Sequence, residues 1–305
     1  MKRGLIAARV ALGLCLLALL IWFTDVDKLI QTLHLAKPAW ISAALLLIVC
    51  ATLIGAVSLH MLISLENEIN FVDFLPLYWT SWAVGLVLPG QVGDVASLAA
   101  LLRRHQMAMS TTVGRSLADK LVSLGLMIVF ATWAARAHPA FGALLGAIAL
   151  MAGAAMLLYR HRGRLPQEKT MRVLDFARTA MGQTRALVLR RPGLMVLNLL
   201  LTVVKICLTG LAYWCMFRAF GFDQAPALEV IPLVAISSLV AYIPISFNGI
   251  GTTETAGIAL FSALGVSATG VLASYLTLRA LGLAVAWIPA GAWLLLVRPG
   301  LKAAP

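Results

Sequence analysis

Apolar runs of about 20 residues are the feature that most limits how this chain folds. Residues 41–63 and 194–204 contain no Asp, Glu, Lys or Arg, and only 12% of the 305 residues are charged, whereas a soluble domain carries about a quarter. Lipid is therefore the expected solvent, and only helices or closed barrels satisfy their backbones there. The runs lack strict alternation, so the sequence predicts α-helices.

The hydropathy pattern predicts an all-α, polytopic membrane bundle that forms a single integral membrane domain over residues 1–305. Two further apolar segments, 74–105 and 228–264, are interrupted near their middle. We predict about six full spans in addition to these two broken segments. The predicted spans cover residues 4–23, 40–64, 112–135, 140–160, 193–219 and 268–297.

Each interruption combines a proline, a glycine-containing turn and an acid. The arms on either side are about 10–17 residues long, which is shorter than a full crossing requires. Re-entrant helical hairpins and short tilted spans both fit this pattern, and the sequence leaves the choice open. The turn residues are Pro89, Gly90 and Gly93 before Asp94, and Pro244, Gly249 and Gly251 before Glu254.

The basic residues predict the orientation. Nine of the 24 Lys and Arg residues lie between Arg160 and Arg191, which indicates a cytoplasmic loop over 160–191 under the positive-inside rule. Counting spans from this loop places both termini in the cytoplasm, as in a bacterial inner-membrane protein. The loop lacks interleaved aromatic residues, so we expect no nucleic-acid partner.

The two broken segments then enter from opposite faces, which predicts an inverted repeat with cores at 74–135 and 228–297. Transporters build substrate sites from discontinuous helices of such repeats. Turns that only permit close packing are the alternative for the glycines, and helix capping is the alternative role for Asn248. The repeated order is Pro89, Asp94, Ser110 and Arg115, matched by Pro244, Glu254, Ser267 and Arg279.

Charged residues at membrane depth are costly and mark functional sites. Arg115 and Asp119 are four residues apart and are expected to pair, which leaves Lys120 for Asp94 or Glu254. Four bases against three acids predict a site that favours an anion such as a lipid phosphate, and structural ion pairs between helices are the alternative. With Asn248, the predicted substrate-binding residues are Arg115, Lys120, Lys205, Arg279, Asp94, Asp119 and Glu254. No motif indicates a catalytic residue, a metal site or a cofactor.

At these segments the chain resembles the membrane domain of the lysylphosphatidylglycerol synthase family, also called flippase-like integral membrane proteins. Residues 88–94 resemble the family's P-G-x-x-G-[ED] segment, and residues 244–254 resemble its P-x-S-x-x-G-x-G-x-x-E segment. Leu278-Arg279 resembles the arginine-bearing last span. The chain departs from the family at Gln91, Ser97 and Ser123, where charged residues are common.

The resemblance implies movement of an anionic or polyprenyl-linked lipid between leaflets. The sequence leaves the oligomeric state open, with a homo-oligomer as one of the alternatives. The synthases also carry a soluble aminoacyl-transferase domain after the membrane part. Because this chain ends at Pro305, we expect that activity to be absent. Two other functions stay open: an integral-membrane transferase, and an accessory subunit that docks a lipid-synthesis enzyme or a glycosyltransferase through the basic loop.

Overall fold

The structure is a computed structural model of the chain. The predicted spans 4–23 and 140–160, together with Pro89, Gly90 and Pro244, fall outside the residues that it describes. Apart from a few isolated positions, it describes residues 26–65, 69–86, 93–137, 167–242 and 247–297.

The described chain is built from α-helices joined by short turns, which confirms the all-α prediction. Short 3₁₀ turns follow α4 and α9 and precede α9. The helices are α1 (Val26–His34), α2 (Pro38–Ile63), α3 (Phe71–Leu86), α4 (Gly93–Leu102), α5 (Met109–Ala137), α6 (Gln167–Arg190), α7 (Pro192–Ala219), α8 (Ala227–Tyr242), α9 (Thr252–Phe261) and α10 (Ala268–Val297).

Four of the described helices are long and apolar enough to cross a membrane. They are α2, α5, α7 and α10, and their ends agree with those of the predicted spans 40–64, 112–135, 193–219 and 268–297 to within three residues. Pro38 and Pro192 occupy the first turns of α2 and α7, where the missing N–H costs nothing. The chain is therefore a multi-pass membrane protein.

Both interrupted segments form pairs of shorter helices that pack on each other, α3 with α4 and α8 with α9. In the first pair, Ser97 donates to the Ser81 carbonyl at 3.3 Å. A Cβ on Gly85 would lie 2.8 Å from the Asp94 Cβ. Since residue numbers rise on one helix as they fall on the other, α3 and α4 run antiparallel.

The two halves of the chain repeat the same sequence of elements. Helices of 16 and 10 residues, a 3₁₀ turn of three residues and a helix of 29 or 30 residues follow one another in each half. Pro76 and Pro232 are both the sixth residue of their helix. A left-handed residue ends each 3₁₀ turn, Gln106 at φ 60° and Gly265 at φ 73°.

Each broken helix pair, α3 with α4 or α8 with α9, packs against the long helix of the other half. Helix α3 packs against α10, and α8 packs against α5, while α2 and α7 form the most extensive helix contact of the described fold. The apolar core of the second half surrounds Phe217 and Phe261, and that of the first half surrounds Phe74 and Leu98. This exchange brings the end of α3 close to the turn that precedes α9.

The basic segment predicted as a loop over 160–191 contains a helix instead, α6, which packs against α5. Gly114 permits the close approach, because a Cβ there would come within 2.5 Å of the Ala180 carbonyl oxygen. Thr184 also donates to the Gly114 carbonyl at 2.7 Å. The sequence did not predict this helix because hydropathy detects membrane spans, and the many charged residues of α6 make it too polar to resemble one. Residues 160–166 lie outside the described part.

A polar cavity between the two broken helix pairs

A cavity of about 510 Å³ lies where α3 and α4 meet α8 and α9, and α2, α5, α7 and α10 complete its wall. Aromatic side chains from four helices, including Tyr78, Trp82 and Tyr213, line it together with serine and threonine hydroxyl groups. Seven of the eight predicted substrate-binding residues line it: Asp94, Asp119, Lys120, Lys205, Asn248, Glu254 and Arg279.

The first half of the fold contributes the Asp94–Lys120 ion pair. Asp94 is the second residue of α4, and its Oδ2 accepts from Lys120 Nζ at 2.9 Å. Its Oδ1 accepts the Val95 N–H at 2.8 Å, as acids in a first helical turn commonly do. Both side chains keep contact with solvent space, at 31% and 23% exposure.

The second half contributes the Glu254–Arg279 pair, which is held by a larger network. The Glu254 side chain is fully buried, and its Oε1 accepts from Arg279 Nη2 at 2.6 Å and from Nε at 3.0 Å. Its Oε2 accepts from the Gly251 N–H and from Thr253 Oγ1. Arg279 also donates to Thr253 and to the Asn248 carbonyl. A buried charge is tolerated only with such complete pairing.

Asn248 joins the two interruptions. It adopts a left-handed conformation at φ 48°, and its Nδ2 donates to the Leu86 carbonyl at 3.2 Å. Leu86 ends α3, so the bond satisfies a carbonyl that has no partner within its own helix. Asn248 therefore caps a helix end, and that helix belongs to the other half. Gly249 and Gly251 have φ values of 73° and 79°, which explains why glycine stands there.

Lys205 lies on α7 in the cavity wall. Its Nζ donates to Ser123 Oγ at 3.3 Å, and among the described residues no carboxylate lies within ion-pair distance of it. The Tyr78 hydroxyl and the Lys205 stem both approach Gly55, where a Cβ would meet them at 2.8 and 3.4 Å. A lysine ammonium without a carboxylate is expensive in a membrane span, and it offers a binding point for an anion.

Arg115 lies outside the cavity. It is 3% exposed, and its Nη1 donates to the Ile63 carbonyl at 2.8 Å, at the C-terminal end of α2. Cations stabilise that end of a helix. The predicted contact with Asp119 is replaced, in the described chain, by hydrogen bonds to Asp119 Oδ1 from Asn198 at 2.8 Å and from Ser58 at 3.4 Å.

The lining therefore has balanced formal charge rather than the predicted positive excess. Three bases face three acids once Arg115 is placed at the end of α2. Two bases already bind acids, which leaves Lys205 and Asp119 as the charges outside the two pairs. Any anion that enters the described cavity meets Lys205 without first breaking an ion pair.

The structure also corrects the alignment of the two halves. The sequence order matched Arg115 with Arg279, but Lys120 and Arg279 are each the twelfth residue of their long helix. Each of these two bases pairs with the acid of its own half. Arg115 is the seventh residue of α5, and the seventh residue of α10 is the buried Ser274.

Several polar residues at the site were missed by the sequence reasoning, including Asn198, Ser58, Ser116 and Thr202. All four are at most 2% exposed. The sequence contained part of the information needed to find them, because Asn198, Thr202 and Lys205 recur at helical spacing in an otherwise apolar run. Within the ranges that the structure describes, no three His, Cys, Asp or Glu residues are grouped as metal ligands.

The fold and the cavity define a polytopic α-helical membrane protein with a polar site built from discontinuous helices. The chain matches the family described as Lysylphosphatidylglycerol synthase TM region over residues 6–290. It therefore belongs to that family, as the interrupted segments predicted. No curated protein sequence matches the chain.

Proposed function

We propose that this protein moves an anionic or polyprenyl-linked lipid between the leaflets of a bacterial inner membrane. One observation carries the proposal: each broken helix pair, together with the long helix that follows it, contributes an acid–base pair to a single cavity, and Asn248 hydrogen-bonds to the last residue of α3. Discontinuous helices that meet in this way form the substrate sites of many transporters. Membership of a family named for the synthesis of a phosphatidylglycerol lipid supports a lipid substrate.

In this mechanism the headgroup phosphate binds Lys205 first, because that ammonium has no carboxylate to release. Lys120 follows, since its single bond to Asp94 lies in the more exposed pair. Arg279 then contacts the headgroup through its guanidinium group. Two hydrogen bonds to Glu254 fix the orientation of that group. The acyl or prenyl chains stay in the surrounding lipid while the headgroup crosses.

Access to the two leaflets would alternate as one broken pair, together with the long helix of the opposite half, rocks against the other such unit. The reciprocal packing of α3 on α10 and of α8 on α5 supports this motion, because each broken pair moves with the long helix of the opposite half. The repeated order of elements fits an inverted repeat, in which the two halves exchange roles across the membrane. Both termini would then lie in the cytoplasm.

Reconstitution into liposomes tests the proposal. A fluorescent phosphatidylglycerol in the inner leaflet becomes accessible to an outside quencher only if the protein moves it. We expect protein-dependent access, strongly reduced by Lys120→Met and by Glu254→Gln combined with Arg279→Ala. Failure to move any anionic or polyprenyl-linked lipid, or full movement by these variants, would sink the proposal.

An accessory role is the second candidate, because one face of α6 is exposed in the described part of the chain. Arg178, Met181, Arg185 and Leu189 are all exposed there, and this mixture of basic and apolar groups is typical of docking surfaces. If docking is the function, the purified protein moves no lipid in liposomes, whereas Arg178→Glu with Arg185→Glu abolishes the protein's function in cells and leaves its thermal unfolding unchanged.

A further inference from the structure

Two helices carry the same polar spacing along the line where they face each other. On α5 the residues are separated by four, three and four positions, which keeps them on one helical face, and α7 repeats that spacing. The polar seam consists of Thr112, Ser116, Asp119 and Ser123 on α5, with Asn198, Thr202, Lys205 and Thr209 on α7.

Hydrogen bonds join the two sides of the polar seam. Asn198 donates to Asp119 at 2.8 Å, and Lys205 donates to Ser123 at 3.3 Å. The seam begins at Thr112, the fourth residue of α5, and it reaches the cavity, which Ser116 and every later seam residue of α5 line. From Thr112 to Ser123 the helix rises about 17 Å. The seam thus runs from one end of a span to the cavity.

Unsatisfied oxygens concentrate on this seam. Six buried side-chain atoms of the described chain have no hydrogen-bond partner, and four of the six belong to Thr112, Ser116, Asn198 and Thr202. Each of these residues is at most 2% exposed. Unsatisfied buried polar atoms are costly, so a row of them along a membrane span indicates a ligand that they bind.

We propose that the seam conducts protons to Asp119, and that a proton on Asp119 promotes binding of the anionic headgroup; this rests on the proposed lipid transport. In this proposal, water molecules bound by the unsatisfied hydroxyls form the relay. Each water accepts a proton on its oxygen and passes on one of its own, and the last proton bonds to a carboxylate oxygen of Asp119. The acid then needs an acceptor, and Asn198 has an unsatisfied Oδ1 on the amide that already donates to Asp119.

The charge balance of the cavity determines whether a proton on Asp119 strengthens or weakens anion binding. With Asp119 ionised, the lining holds three bases and three acids. With Asp119 protonated, three bases face two acids, so an anion binds more tightly. By linkage, a bound anion raises proton affinity equally. A proton fits better than sodium, because the seam offers one carboxylate and already contains the Lys205 ammonium.

The polar groups around Asp119 come from several helices. Helix α2 presents Ser58, while α6 approaches at Gly114 with Thr184. Nine ionisable groups of the described chain share the cavity with Asp119, and they come from seven helices. They are Tyr78 on α3, Asp94 on α4, Lys120 on α5, Lys205 and Tyr213 on α7, Tyr242 on α8, Glu254 on α9, and Tyr275 and Arg279 on α10. Asp94 is bound to Lys120.

Binding of short-chain phosphatidylglycerol to the purified protein, measured across pH, tests the proposal. The wild type should bind it more tightly as the pH falls, by up to about tenfold, which is within the range typical of coupled sites. Asp119→Asn imitates the protonated acid, so its affinity should stay high and independent of pH. Asp119→Glu restores the pH dependence. Short-chain phosphatidylcholine should show no such dependence.

Proton uptake gives a second readout with a matched control. Thr202→Val removes one unsatisfied hydroxyl and should slow proton uptake after a pH jump, whereas Thr132→Val, on an exposed turn of α5, should not. Wild-type affinity that does not change with pH, or that follows sodium at constant pH, overturns the proposal while lipid transport stands.

Infrared spectroscopy distinguishes a failure of the seam proposal from a failure of the transport proposal. If phosphatidylglycerol does not bind at any pH, the transport proposal fails, but Asp119 can still be examined by itself. The seam proposal then requires a carboxylic C=O band that appears on acidification of the wild type and is absent in Asp119→Asn. Without that band, Asp119 takes up no proton and the proposal is wrong.

Discussion

In the second half of the fold, Glu254 is fully buried and accepts four hydrogen bonds, whereas in the first half Asp94 is 31% exposed and accepts two. The partner bases occupy the same position of their long helices. The two acid–base pairs thus occupy equivalent positions in the two halves, but only the second pair is held by a buried hydrogen-bond network. We interpret the second pair as a fixed support and the first as the pair that opens.

Glu254→Gln should produce the largest loss of stability. It leaves the Arg279 cation in the network without its carboxylate, and breaking a buried pair costs about 3–5 kcal/mol. Thermal unfolding in detergent measures the effect. Glu229→Gln, at an exposed position in the first turn of α8, is the matched control and should change little. Equal effects for the two variants would contradict the supporting role.

Gly85→Ala should have the next largest effect, and it acts on the first half. The new methyl would lie 2.8 Å from the Asp94 Cβ, so α3 and α4 must separate, and overpacking of this kind costs about 1–3 kcal/mol. Gly182→Ala on α6 meets no atom within 4 Å and should be neutral or stabilising. If both alanines behave alike, the close contact between α3 and α4 is not needed.

Asn248→Gly should lower the free energy of unfolding by about 1 kcal/mol, because it removes the hydrogen bond to Leu86 but tolerates the left-handed backbone. Asn248→Ala should cost more, since alanine also adopts that conformation unfavourably. Chemical denaturation compares the two variants. A glycine variant as stable as the wild type would show that the bond between the two halves contributes nothing.

Asp94→Asn should have the smallest effect on stability, below about 1 kcal/mol, as expected for an ion pair in contact with solvent space. Its effect on lipid movement should be larger, because Lys120 is no longer neutralised between transport cycles. The comparison with Glu254→Gln is made on the same two measurements. A loss of stability as large as that of Glu254→Gln would remove the distinction between the pairs.

The sequence predicted the parts of this molecule that hydropathy and helix breakers determine. The spans at α2, α5, α7 and α10, and the two interruptions, follow from apolar run length and from Pro and Gly. The Asp94–Lys120 pair was one of two partners considered for Lys120. These features are local, so they can be recognised without knowing how the helices pack.

Other features depended on packing between distant helices. Arg115 was counted with the cavity because its depth in α5 could be predicted, but its direction toward Ile63 could not. The helix in the basic segment was missed because hydropathy detects membrane spans, and α6 is too polar. The bond from Asn248 to Leu86 crosses 162 positions of sequence, and no local pattern predicts it.

Lys205→Met gives the most direct test of the central claim, that the cavity binds an anionic headgroup for transport. Lys205 has no carboxylate within ion-pair distance in the described structure, so its removal should leave thermal stability unchanged or raised. Movement of fluorescent phosphatidylglycerol in liposomes should nevertheless fall about tenfold or more, the loss of roughly 1.4 kcal/mol of binding. Arg136→Met, at the exposed end of α5, should transport normally. Undiminished movement by Lys205→Met would contradict the account.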